Sequence, residues 1–191
     1  MKSIILASAS PRRKALLEQI GIKFTVDARV REDTGLVGQE PHQLAREISL
    51  KKAESVAGRY TDAIIIVADT FVVIDGRIIG KPHSESEVRT MLASLSGKSH
   101  TVITGFTVLD TFTGKAVSRS VETTVHMKRI TKSEIEAYLQ TGEPMDKAGS
   151  YAIQGLGAVL VEKIEGDYFN VMGLPLAALA EVLKEFGVNV L

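Results

Sequence analysis

The stretch AIIIVADTFVVI, Ala63–Ile74, is the most apolar run of the chain and decides the fold class. Its many β-branched residues predict a central strand that is covered on both faces, because a strand with one face in water alternates apolar and polar side chains. Asp69 and Thr70 interrupt the run. Asp75 and Gly76 follow it directly and are typical of a tight hairpin turn.

Outward from this strand, strand-like and helical patterns alternate. Residues 4–7 and 24–26 predict two short strands, and residues 11–20 predict a helix between them, with Ser10 as its cap and Pro11 at its first position. The other predicted helices are 41–57, one that begins at Ser84 with Glu87 completing a capping box, 131–139 with Thr131 and Glu134 in the same roles, and 175–186. The other predicted strands are an antiparallel pair, 101–109 and 115–126, and then 158–164, which is followed by a turn at 165–167. Residues 29–40 and 142–157 are predicted loops.

This alternation predicts a protein of the α/β class. The sequence has no internal repeat, low-complexity tract or linker, and its 191 residues suffice for one core. We therefore expect a single domain over residues 1–191.

Composition excludes several classes of function. The 23 basic and 23 acidic residues cancel, so no broad positive field is available to bind nucleic acid or an anionic membrane. The chain has no cysteine, which excludes thiolate nucleophiles and cysteine-based zinc sites. Only residues 4–7 are apolar near the N-terminus, too few for a signal peptide or a spanning helix, so we expect a cytoplasmic protein.

The segment SASPRRK, residues 8–14, joins a predicted strand to the start of a predicted helix. Free backbone amides and the helix dipole attract phosphate at such a position, and Arg12, Arg13 and Lys14 add positive charge. The alternative is a surface helix whose basic residues are only solvated.

Asp69 is the most unusual residue of the central run. An ionised carboxylate in a buried strand needs a cation, a metal ion or strong hydrogen bonds, which points to a functional site. The alternative is an aspartate at a strand end or bulge that caps a neighbouring loop. Glu32, in the loop 29–40, is a candidate second carboxylate, but Asp33 is adjacent and spacing does not choose between them.

Two further segments suit nucleotide binding. In Gly80-Lys81-Pro82, the proline favours an extended backbone at Lys81 that projects its ammonium group outward. The loop 142–157 is long and glycine-rich, and the amide of Gln154 offers both a donor and an acceptor to a base edge. The alternative for this loop is an ordered connection whose glycines only permit turns.

Six motifs together resemble the Maf family of nucleoside triphosphate pyrophosphatases. They span nearly the whole chain in order: SASPRRKALL, ADT, GKP, LSGKSHTVITG, EPMDKAGSYAIQG and GDYFNVMGLPL. The resemblance implies an elongated α/β fold shared with the inosine triphosphate pyrophosphatases, with a mixed central sheet flanked by helices, two lobes around a cleft, and a homodimer. It also implies cleavage of a nucleoside triphosphate between its α and β phosphates with the help of Mg²⁺ or Mn²⁺.

The resemblance also implies a role for each matching residue. Asp69 takes the position of the general base and, with Glu32, of the metal site. The implied phosphate-binding residues are Ser8, Arg12, Arg13, Lys52 and Lys81. Lys51 is adjacent to Lys52, and only the match to a lysine-alanine pair favours Lys52. The forms ADT and AIQG resemble the branch that acts on dTTP and UTP, in which Arg12, Thr70 and Gln154 fall at the specificity positions.

Two other functions compete with this interpretation. One is a non-catalytic regulator of cell division that binds a nucleotide or a partner, as the association of the family with septum formation suggests. The other is a nucleic-acid-binding domain, prompted by Arg12, Arg13 and Lys14. Net neutrality and few aromatic residues weigh against the second.

Overall fold

A computed structural model of the chain describes residues 2–30 and 40–191. The chain forms two compact units. One unit comprises the described residues up to Asp69 together with Thr104–Val121 and Gly173–Leu191, and the second comprises Thr70–Ile103 and Glu122–Met172. The strands are β1 Ser3–Leu6, β2 Thr25–Val26, β3 Ala63–Ile74, β4 Arg77–Ile79, β5 Ser99–Asp110, β6 Ala116–Met127 and β7 Val161–Gly166; the helices are α1 Pro11–Gln19, α2 Pro41–Ala57, α3 Glu85–Leu95, α4 Lys132–Gln140, α5 Tyr168–Met172 and α6 Leu176–Lys184.

The described strands form one mixed sheet of seven strands in the order β2-β1-β3-β5-β6-β7, with β4 paired to β3. The strand β1 runs parallel to β2 and β3, whereas β4 is antiparallel to β3 and β7 is antiparallel to β6. The neighbours β5 and β6 are joined by only residues 111–115, a connection too short for a parallel crossover. The predicted α/β class and mixed sheet flanked by helices are confirmed. The single domain over residues 1–191 and the cleft stay predictions.

In the first unit, α2 packs on one face of β3. Ala63, Ile65 and Val67 lie two residues apart and so project to the same side of the strand. They form a buried cluster with Ala53 and Val56 of α2. The apolar side chains on one face of β3 thus pack against the apolar side of α2.

In the second unit, α3 and α4 surround a separate apolar cluster. Val88, Leu92 and Leu95 line one side of α3, at the spacing that helical geometry predicts for a buried face. The helix begins at Ser84, whose hydroxyl accepts from the Glu87 N–H at 3.2 Å. Of the two hydrogen bonds of the predicted capping box, the one from the Glu87 N–H to Ser84 forms. The other is wrong, because the Glu87 carboxylate accepts from the N–H of His83 and not from that of Ser84. The box at Thr131 and Glu134 is confirmed.

The hairpin predicted after β3 is confirmed. Asp75 and Gly76 have φ values of 50° and 72°, as expected for the central residues of a tight hairpin turn. Ile74 pairs with Arg77 across it.

The prediction is less accurate toward the C-terminal end. The strand predicted at 158–164 begins only at Val161, because Gly155–Leu160 forms a 3-10 helix. Gly166 pairs with Thr123 inside the sheet, so the turn predicted at 165–167 is wrong. The helix α5 was not predicted, and the loop 142–157 contains short 3-10 helices. None of the helices in the described part of the chain is long and apolar enough to cross a membrane.

Candidate functional site

Asp69 is paired with a lysine from α2. Because side chains alternate along a strand, Asp69 projects to the same side of β3 as Val67, which is the face that α2 covers. Lys52 lies four residues before Val56 and therefore one helical turn along the same side of α2. Its Nζ donates to Asp69 Oδ1 at 2.7 Å. The sequence predicts a cation, a metal ion or strong hydrogen bonds at Asp69, and Lys52 supplies the first of these.

The environment of this pair is partly closed to water. The Lys52 side chain is 9% exposed and the Asp69 side chain 25% exposed. The strand β3 continues beyond Asp69 to Ile74, so the alternative in which Asp69 ends a strand is wrong. Lys51, the neighbour that the sequence could not separate from Lys52, is exposed.

The segment after β1 is tied together by its own side chains. The Ser8 hydroxyl accepts from the Ser10 N–H at 3.2 Å and from Arg13 Nη1 at 3.4 Å. The Ser10 side chain caps α1, as predicted, by accepting from the Arg13 N–H. Arg13 Nε donates to the Gly173 carbonyl at 2.8 Å. Arg13 therefore braces the predicted phosphate loop.

The register of the sheet places this loop near Asp69. Leu6 pairs with Ile66 in the parallel strands β1 and β3, so Ser8 follows β1 at about the level of Ala68. Ligands of α/β sheets bind where parallel strands end at their carboxyl sides. The first unit thus holds two hydrogen-bonded pairs, Ser8 with Arg13 and Lys52 with Asp69, and Arg12 lies half-buried in the first turn of α1.

The second unit carries the other predicted residues. Lys81 is exposed just after β4, and the carbonyl of its neighbour Gly80 accepts from the Gly149 N–H at 3.0 Å. Gln154 is exposed and occupies the N-cap position of the 3-10 helix Gly155–Leu160. Thr70 follows Asp69 directly in β3 and is half-buried.

The predicted metal site is described only in part, because Glu32 and its neighbour Asp33 lie outside the described residues. Across residues 2–30 and 40–191, no three histidine or acidic side chains are grouped so as to hold a metal ion. Asp69 alone of the predicted metal ligands is described. Its partly exposed carboxylate is a hard oxygen donor of the kind that Mg²⁺ and Mn²⁺ prefer, so it fits as one ligand.

Asp27 is a buried carboxylate that no sequence pattern marks. Oδ1 accepts from Arg29 Nε at 2.9 Å, and Oδ2 accepts from Arg59 Nη1 and the Tyr60 hydroxyl, each at 3.0 Å. The Arg29 guanidinium, more than any other group, holds the pKa of Asp27 well below its ordinary value. Both oxygens are committed to structural bonds, so Asp27 anchors the segment after β2.

Comparisons with known proteins identify relatives of the whole chain. The family model described as "Maf-like protein" matches residues 3–186. A protein of Methanococcoides burtonii named dTTP/UTP pyrophosphatase is 50% identical over 191 residues, which cover 100% of this chain and 98% of that protein. One of the same name from Alkaliphilus metalliredigens is 51% identical over 193 residues and is matched over 100% of both chains. Among solved structures, the Ham1 protein of Staphylococcus aureus matches with a TM-score of 0.47 and 15% identity, over 66% of this chain and 72% of that one.

Proposed function

The chain belongs to the Maf-like protein family, and from that premise we propose that it hydrolyses dTTP and UTP to the nucleoside monophosphate and pyrophosphate. The observation that carries the proposal is the Asp69–Lys52 pair. Lys52 Nζ lies 2.7 Å from Asp69 Oδ1, beside the loop that follows β1. The names of the full-length relatives support the choice of dTTP and UTP.

In this proposal Asp69 is the general base. It accepts a proton from the water that attacks the α phosphorus, while Lys52 holds its carboxylate in one place. Arg12, Arg13, Lys52 and Lys81 neutralise the charge of the phosphates, and the Ser8 loop offers backbone N–H groups to them. The partial exposure of Asp69 supports this role, because a proton acceptor has to meet water.

We also propose that Asp69 and Glu32 hold Mg²⁺ or Mn²⁺. The carboxylate oxygens of Asp69 support Mg²⁺ or Mn²⁺, because these cations prefer oxygen ligands. When bound, such a cation polarises the phosphoryl oxygens and increases the acidity of water, which compensates for the weak basicity of a carboxylate at neutral pH.

We propose that Arg12, Thr70 and Gln154 select the nucleobase of the substrate. Gln154 is exposed, and its side chain makes no capping hydrogen bond to the 3-10 helix that follows it. A primary amide can donate to one atom of a pyrimidine edge and accept from the next, so Gln154 suits thymine and uracil.

The proposal extends to assembly and location. We propose a homodimer, as the family resemblance implies. We propose that the enzyme works in the cytoplasm, where nucleoside triphosphates are made and used.

A nucleotide panel tests the proposed function. Purified protein is incubated with dTTP, UTP, CTP and 7-methyl-GTP, each with Mg²⁺ or Mn²⁺, and pyrophosphate is measured. We expect pyrophosphate from dTTP and UTP well above that from the other two. Nucleotide binding without any pyrophosphate would instead favour the non-catalytic regulator.

A further inference from the structure

Glu143 lies eleven residues before Gln154 and binds the turn that carries it. Its Oε1 accepts from the Tyr138 hydroxyl at 2.8 Å and from the Gly157 N–H at 3.0 Å. Its Oε2 accepts from the Leu156 N–H at 3.0 Å. Two of the three donors are thus backbone groups two and three residues after Gln154.

These bonds leave the side chain of Gln154 uncommitted. Gln154 is the N-cap residue of the 3-10 helix Gly155–Leu160, and its side chain makes no capping hydrogen bond. The first N–H groups of a helix lack partners inside the helix and need an acceptor from elsewhere. Glu143 supplies that acceptor from another segment, so the Gln154 amide remains available to a ligand.

The turn also fits closely around the carboxylate. Gly155 has a φ of +67°, and a Cβ atom there would lie 2.7 Å from Glu143 Oε2. A Cβ atom at Gly157 would lie 2.5 Å from the Tyr138 hydroxyl oxygen. A larger residue at either position would displace the hydrogen-bonded groups, so the glycines permit the close approach.

Glu143 is ionised at neutral pH and accepts from all three donors. Burial acts to raise its pKa, but the hydrogen bonds from Gly157, Tyr138 and Leu156 outweigh burial and keep the pKa below its ordinary value. A neutral amide in the same place has only one acceptor oxygen. Glu143→Gln therefore loses at least one of the bonds while keeping the size of the side chain.

We propose that Glu143 is a positioning residue for base selection, which holds the turn so that the Gln154 amide lies against the edge of the nucleotide base. Thymine and uracil present an acceptor where cytosine presents an amino donor. Gln154 can distinguish these bases only while its amide lies within hydrogen-bond distance of that edge. A turn that moves away from the base therefore removes the contribution of Gln154 to selectivity. The inference rests on the proposed function, because it concerns the base that the enzyme selects.

The test compares kcat and KM for dTTP, UTP and CTP in the wild-type protein and in Glu143→Gln. We expect the ratio of kcat/KM for dTTP to that for CTP to fall by about tenfold, as for loss of a hydrogen bond to a charged group. The change should lie in KM, with kcat for dTTP altered by less than about twofold, because Glu143 does not touch the reacting atoms. The matched control is Glu162→Gln, at an exposed glutamate of β7 in the same unit, which should leave the ratio unchanged.

A double-mutant cycle separates positioning from general damage to the fold. If Glu143 acts through Gln154, then Glu143→Gln has no further effect on selectivity once Gln154→Ala is present. Gly155→Ala is a second variant, because its Cβ displaces the carboxylate and its φ of +67° is strained for alanine, so it should lower the same ratio. If Glu143→Gln does not fold, an unchanged ratio in Gly155→Ala overturns the inference.

Two results overturn the inference alone: an unchanged selectivity ratio in Glu143→Gln with an active wild-type protein, or effects of Glu143 and Gln154 that simply add. A wild-type protein that hydrolyses none of the three nucleotides overturns the proposed function itself, and the inference with it.

Discussion

Lys52 Nζ lies 2.7 Å from Asp69 Oδ1, and this contact joins α2 to the centre of β3. A charge-assisted hydrogen bond of this length restricts the rotation of the carboxylate. Because Asp69 is only 25% exposed, its carboxylate has limited access to water as a substitute partner. The pair therefore links the packing of the first unit to the proposed chemistry.

Asp69→Asn should lower kcat for dTTP by a factor of about 10² to 10⁴, the usual contribution of a general base. The amide has nearly the same shape as the carboxylate but cannot take up a proton at neutral pH. Pyrophosphate release measures the rate, and equilibrium binding of dTTP should be largely retained. Asp62→Asn, at an exposed aspartate outside the candidate site, is the control. Unchanged turnover in Asp69→Asn removes Asp69 from the mechanism.

Lys52→Met should lower kcat/KM for dTTP by about tenfold or more, because it removes a positive charge from the phosphates and the partner of Asp69. The adjacent Lys51→Met is a matched control, since Lys51 is exposed and the same charge is lost. Steady-state kinetics on both variants should show a much smaller effect at Lys51. A larger loss in Lys51→Met would assign the phosphate-binding role to Lys51 instead.

The sequence predicts β3 well for a physical reason. A long run of β-branched residues has few alternatives to a buried strand, and the predicted bounds match Ala63–Ile74. The run at 158–164 is shorter, and an apolar segment of that length does not distinguish a strand from a short helix. Residues 155–160 accordingly form a 3-10 helix and the strand starts at Val161.

The sequence predicts those features of the site that depend on neighbouring residues, but not those that depend on contacts between distant segments. The position of Asp69 in an apolar strand predicts a charged or hydrogen-bonding partner, but only the packing of α2 on β3 makes Lys52 that partner. The bond from Arg13 to the Gly173 carbonyl spans 160 positions, and no sequence pattern encodes it. The role of Glu143 likewise depends on backbone N–H groups, which every residue except proline carries.

Gly105→Ala should destabilise the protein by about 3 kcal/mol or more, because overpacking against a backbone leaves little room to relax. A Cβ atom at Gly105 in β5 would lie 2.1 Å from the carbonyl oxygen of Ala45 in α2. Gly58→Ala is the control, since nothing lies within 4 Å of its Cβ position and its φ is −63°. Urea denaturation gives both free energies of unfolding, and equal values for the two variants would contradict this account of the α2–β5 contact.

His100 should make stability depend on pH. Burial lowers its pKa from 6.5 to about 4, and its Nε2 lies 2.7 Å from the Tyr151 hydroxyl. The unfolded chain then binds a proton that the folded chain does not, so stability is present above the unfolded pKa and is lost as the pH falls toward the folded pKa. Between pH 7 and pH 5 this loss amounts to about 2 kcal/mol.

The measurement is the free energy of unfolding of wild type and His100→Gln at pH 7 and pH 5. Carboxylates that titrate in the same range affect both proteins alike, so the difference between the two slopes reports His100. His100→Gln should lose less stability over this interval. Identical slopes would mean that His100 does not titrate as its burial requires.

The most direct test of the proposed reaction identifies its products. Purified protein is incubated with dTTP and Mg²⁺, and the phosphorus-containing products are separated and quantified by ³¹P NMR. Cleavage between the α and β phosphates predicts dTMP and pyrophosphate in equal amounts, with neither dTDP nor inorganic phosphate. Release of inorganic phosphate together with dTDP, or unchanged dTTP, would contradict the account.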